Sequence, residues 1–144
     1  MVLFFRRFLK QHLIDYRTFY LWVVRGCFFL LFAISAYMAF TPASSPLVLM
    51  QALGDKVCHF LAFFVLFLFL DFGFPKEPLR YKFYFLCLYG GLIEYGQFLL
   101  GYRVFEWQDL LADGLGLLLY LACVLYLARY RCSVAGILAS GESL

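Results

Sequence analysis

Four apolar runs, at 19–40, 55–74, 80–100 and 107–130, dominate the chain. Each is close to the roughly 20 residues that a helix needs to cross a bilayer. A soluble core of 144 residues has no room for this much oil: 65% of the residues are hydrophobic and 22% aromatic, with a mean hydropathy of +0.86, far from a globular composition. The breaks agree with the runs. TPASSP at 41–46 and GFPKEP at 73–78 carry turn residues and prolines that cannot continue a helix, and Gly101 is a natural helix stop. The pattern predicts an all-α membrane protein of four transmembrane helices, with loops short enough to make sequential neighbours antiparallel.

Basic residues set the expected orientation. Arg6, Arg7, Lys10, Arg17, Arg25, Lys76, Arg80, Lys82, Arg129 and Arg131 fall on one side, and Lys56 and Arg103 on the other, which places both termini in the cytoplasm. Residues 1–18 alternate apolar and basic positions at helical spacing and read as an amphipathic interfacial helix. A cleaved signal peptide is a poor description: the basic stretch is long, Arg25 interrupts it, and an apolar anchor of spanning length follows. The four-helix transmembrane domain then covers 19–130, and 131–144 form a short, flexible cytoplasmic tail rich in small residues. Five cysteines without a C-x-x-C pair indicate no disulfide or zinc framework; Cys27, Cys87 and Cys123 lie in apolar runs, where they pack as small hydrophobes. A net charge of +3 distributed about apolar segments argues for no nucleic-acid partner.

Ionisable residues collect at one end of the spans. Asp55, Lys56 and His59 open the second run, Glu94 and Gln97 close the third, Arg103 and Glu106 occupy the loop, and Asp109 and Asp113 open the fourth. At about 1.5 Å per residue, His59, Glu94 and Asp113 lie roughly 6–10 Å inside their helices. Spacing adds direction: Asp55 and His59, Glu94 and Gln97, and Asp109 and Asp113 are i, i+3 or i, i+4 pairs, each on one helical face. A charge in hydrocarbon costs about 2.5–3.5 kcal/mol on insertion scales and usually faces a bundle interior or wet cavity. The stripes are therefore expected to converge on a polar site open to the outer leaflet.

Structural roles compete for the same residues. Asp55 and Asp109 suit the positive ends of their helices, Lys56 and Arg103 can snorkel to the interface, Glu106 suits a solvated loop, and Glu94, Asp113 and His59 can form an internal ion pair locking the bundle. Gly90, Gly91, Gly96, Gly114 and Gly116 suit close helix contact, and Trp107 and the tyrosines near span ends suit an interfacial belt. Ser44 and Ser45 are loop residues on the same side, so no serine nucleophile for acyl transfer stands in the site.

The series D-K-x-x-H-F at 55–60, E-x-x-Q at 94–97, and Arg103 followed by Asp109, Asp113 and Gly116 resembles the VanZ-like membrane family over roughly residues 20–130. Two departures stand out: Asp113 occupies a position where that family usually has Asn, and Tyr102 separates Gly101 from Arg103. The resemblance implies a bacterial plasma membrane, business with membrane lipids or lipid-linked cell-wall precursors, and a link to teicoplanin susceptibility. Beside it, the residues suggest chemistry of their own. Several carboxylates, Asp55, Asp109 and Asp113, together with the histidine His59 can bind a divalent cation, Mg²⁺ or Mn²⁺; Arg103, Lys56 and Gln97 can hold a substrate head group, Arg103 gripping a phosphate with two hydrogen bonds. Arg103, Asp109 and Asp113 also stand at the intervals of the Arg, His and Asp in the third motif of lipid phosphatases of the phosphatidic acid phosphatase type. Three functions follow as expectations: binding or translocation of a lipid or lipid-linked head group; a metal-dependent hydrolase or transferase with Asp109 as nucleophile or metal ligand, His59 as general base and Glu94 beside them; and a structural, partner-recruiting bundle.

Overall fold

A computed structural model describes the backbone of residues 2–41, 54–101 and 106–141, and the side chains of 15–41, 54–101 and 106–131. The described chain is helical, in four elements: α1 (Val2–Ala39), α2 (Asp55–Gly73), α3 (Leu79–Leu100) and α4 (Trp107–Gly141). All four contain a segment long and apolar enough to cross a membrane: Asp15–Ala39, Asp55–Gly73, Leu79–Leu100 and Trp107–Arg131. Helix α1 is continuous from Val2 through the first of these segments, and α4 runs past its spanning segment to Gly141.

Turn chemistry ends the helices where the sequence places it. Gly101 adopts the left-handed conformation (φ 68°) and its N–H returns to the Phe98 carbonyl, closing α3. Pro78, extended at φ −60° and ψ 138°, starts α3, and the Phe74 N–H closes α2 on the Leu70 carbonyl.

Contacts define an up-down-up-down bundle in which α2 touches the other three helices. Arg25 meets Gly73 and Phe28 meets Phe74, so α1 and α2 are antiparallel; Phe63 meets Tyr89 and Phe67 meets Phe83, so α2 and α3 are antiparallel too. Helices α2 and α4 run parallel, with His59 beside Asp113 and Phe67 beside Tyr120. The core is aromatic and aliphatic: Phe28, Phe63, Leu66, Phe67, Leu86, Leu117 and Tyr120 are buried together. Trp22, Leu30, Leu88, Leu99, Leu115 and Leu125 stay more than half exposed on the outside. A helical bundle with that much apolar outer surface is suited to lipid, because each helix satisfies its own backbone hydrogen bonds.

Both ends of the bundle carry polar structure. At the end holding Arg25 and Gly73, the Arg25 Nε donates to the Gly73 carbonyl (2.9 Å) while its guanidinium lies 4.9 Å from the Phe74 ring centre. Lys82, only 4% exposed, places Nζ 2.5 Å from Asp71 Oδ1, and the Tyr120 hydroxyl donates to Asp71 Oδ2 (2.8 Å). Two of the basic residues counted for orientation are thus parts of the fold rather than free interfacial charges. The opposite end is formed by the N-terminal turns of α2 and α4 and the C-terminal turns of α1 and α3.

Candidate functional site

Helices α2 and α4 start side by side, and an acidic residue stands in the first turn of each, Asp55 and Asp109. The positive ends of the two helix dipoles favour carboxylates there. One turn further, His59 and Asp113 follow on the same faces, as the i, i+4 spacing predicts. His59 Nδ1 lies 2.9 Å from Asp113 Oδ1, and Nε2 lies 3.9 Å from Asp109 Oδ2. The imidazole therefore bridges two carboxylates of α4 from its place on α2. A glycine permits the approach: a Cβ on Gly116 would collide with the Phe60 carbonyl oxygen and lie 3.1 Å from the Phe64 nitrogen, both on the α2 backbone.

Helix α3 closes the site. Glu94 is 1% exposed, the least exposed carboxyl of the group, and its Oε1 has no hydrogen-bond partner among the described residues. It shares electrostatic interactions with Asp109, His59 and Asp113. Gly90, one turn away, lets α3 come in: a Cβ there would sit 3.0 Å from Asp113 Oδ2. Asp109 and Asp113 are buried as well, at 3% and 4% exposure. At the rim, Lys56 Nζ is 2.9 Å from Glu106 Oε2 and 3.3 Å from Asp109 Oδ1, with its side chain about half exposed. Glu106, expected to be solvated in the loop, is half exposed but spent on Lys56.

Residue by residue, the structure brings Asp55, Lys56, His59, Glu94, Glu106, Asp109 and Asp113 to one end. Gln97 goes elsewhere: its Nε2 donates to the Ala39 carbonyl (2.8 Å) in the last turn of α1. That bond satisfies one of the carbonyls a helix C-terminus leaves open and ties α3 to α1, so one amide group of Gln97, a residue expected to bind substrate, is engaged within the bundle. Arg103, expected to grip a phosphate, lies outside the described residues, as do Tyr102, Ser44 and Ser45.

Part of the expected set, carboxylates with a histidine, comes together. One donor atom each from Asp55, His59 and Asp109 lie within 4.8 Å of one another. Asp113 stands on the far side of the ring, engaged by Nδ1, because it is one helical turn deeper than Asp109 and meets His59 from below.

The polar network at the other end was not anticipated. Asp71 breaks an apolar run and Lys82 follows it across a tight turn, 11 residues on; that pairing of opposite charges around a helix reversal was the available signal.

A Schizosaccharomyces pombe protein, described only as uncharacterized, is 37% identical over 97 residues, which are 65% of this chain and 57% of the yeast protein. The chain thus spans under two thirds of that protein's length. No family model and no solved structure matches the chain.

Proposed function

We propose that this is a multi-pass membrane protein that binds or translocates the head group of a lipid or lipid-linked precursor at the polar end of its bundle. One observation carries the reading: Asp109 and Asp113 of α4 meet His59 of α2, Glu94 of α3 interacts electrostatically with all three, and the three carboxyl groups, all under 5% exposed, gather at one end of a largely apolar bundle. Ionisable groups at such depth are expensive and characteristically face a ligand or ion path. Lys56 sits at the rim with its side chain half exposed, and Arg103 follows in the neighbouring loop sequence; together they suit a phosphate. With both termini cytoplasmic, as the basic bias favours, the site faces the outer leaflet.

The yeast relative is eukaryotic, and a membrane-lipid head group is the chemistry common to a bacterial and a eukaryotic setting. A bacterial plasma-membrane location and an effect on teicoplanin susceptibility rest on the VanZ-like resemblance alone. A second reading, a hydrolase or transferase acting on the lipid phosphate, is favoured by the His59–Asp113 contact, since a base oriented by a carboxylate is the arrangement of activated nucleophiles and water.

Native mass spectrometry of the protein extracted in mild detergent tests the first reading. The wild type is expected to retain an anionic lipid, and the double variant Lys56→Gln, Arg103→Gln to lose it. Equal lipid on both, or none on either, rejects head-group binding. Release of phosphate or a head group from the bound lipid would promote the enzyme.

A further inference from the structure

We propose that Asp55, His59 and Asp109 bind a divalent transition-metal ion, Mn²⁺ or Zn²⁺, and that Asp113 positions the His59 ring for it. The inference goes beyond head-group binding and does not depend on it. One donor atom from each of the three residues already lies within 4.8 Å of the others. Metal bonds of about 2.0–2.2 Å to imidazole and carboxylate place donors up to roughly 4.4 Å apart, so small side-chain rotations complete the set. The donors come from two parallel helices whose separation is held by backbone contact at Gly116, a rigid base for a site of fixed geometry.

The histidine is prepared for the ion. An ionised carboxylate only accepts, so with Asp113 Oδ1 at 2.9 Å the neutral imidazole carries its proton on Nδ1 and offers the Nε2 lone pair to an ion. Nε2 is the nitrogen on the Asp109 side. A ligating histidine whose other N–H is held by a carboxylate is the usual outer arrangement of protein metal sites.

Charge provides an independent reason. Glu94 is buried with Oε1 unpartnered among the described residues and interacts electrostatically with Asp109, His59 and Asp113. Among the described residues, three carboxyl groups under 5% exposed share the imidazole and an ammonium reaching in from the rim, so their full ionisation in this poorly solvated place calls for a further cation. Lys56 acts as resident counter-charge on Asp109 and has Glu106 as an alternative partner, so an incoming ion can displace it at small cost. The mixed donor set selects the metal class. Imidazole suits Zn²⁺ and its neighbours, carboxylate suits Mn²⁺, and Mg²⁺ prefers an all-oxygen octahedron. With three protein donors, open positions remain for water or a phosphate oxygen.

The test is titration of chelator-stripped, full-length protein in detergent with MnCl₂ and ZnCl₂, with spin-echo detection of nitrogen coupling to bound Mn²⁺. One ion per chain is expected, showing imidazole nitrogen coupling, and Zn²⁺ should compete for it. His59→Gln should abolish the coupling and Asp109→Asn should weaken binding. Asp113→Asn should weaken it about 10–100-fold while changing the nitrogen coupling constant, which a purely structural role would leave alone. Lys56→Gln should bind the ion more tightly than wild type. No retained Mn²⁺ in monodisperse helical wild type, bound Mn²⁺ without nitrogen coupling, or undiminished binding in well-folded His59→Gln and Asp109→Asn each overturns the proposal. Should the variants misfold, the coupling in the wild type decides alone.

Discussion

Lys82 shows how far a residue's role can move once its neighbours are known. By position it belongs to the basic side of the membrane; in the fold it is buried against Asp71, whose second oxygen accepts from Tyr120. A buried pair is weak evidence of stabilisation, but losing one member strands the other. Lys82→Met is therefore expected to destabilise the protein by roughly 3 kcal/mol, toward the lower end of the range for such pairs, because the Asp71 side chain keeps 24% exposure. Asp71→Leu with Lys82→Met should recover most of the loss. Thermal unfolding of the two single variants and the double variant in detergent measures the coupling. Additive losses would show that the pair does not act as a unit.

At the scale of helices, glycines decide which faces touch. Gly90, Gly96 and Gly116 each lie where a Cβ would press on another helix, whereas Gly91 and Gly114 have nothing within 4 Å. All five look alike in sequence, since a small residue in an apolar run signals permission for contact rather than contact itself. The obstruction at Gly116 is α2 backbone, which cannot rotate away; at Gly96 it is the ring edge of Phe40, which can. Gly116→Ala should therefore cost about 1–3 kcal/mol as an overpacked position and separate Asp109 from His59, while Gly114→Ala should be within roughly 0.5 kcal/mol of wild type. The check is melting temperature in detergent, together with whichever ligand signal the wild type gives. Equal behaviour of the two variants would mean that α2 and α4 do not approach as closely as described.

For the whole molecule, the basic residues bear on orientation. Arg25 and Lys82 are committed to the fold, yet eight basic residues remain on that side against Lys56 and Arg103 on the other, and Lys56 is itself paired with acids. The bias survives, so epitope tags at the N- and C-termini should lie on one and the same side in sealed membranes of known orientation. Protease protection reads this directly, and tags on opposite sides would mean that one of the four segments does not cross. The sequence alone determined the number and approximate ends of the apolar segments long enough to span a membrane, because apolar run length, proline and glycine act locally; that α1 starts at Val2 and α4 runs on to Gly141 came from the structure. The sequence also determined that polar residues on successive helices lie at one level, since helical rise converts residue number into depth. Only the tertiary structure decided which polar groups meet. Helix rotation and pairing depend on contacts made across the bundle, such as Gly116 on the α2 backbone. That is why Gln97 turned to Ala39, Asp71 to Lys82, and His59 to the carboxylates of α4.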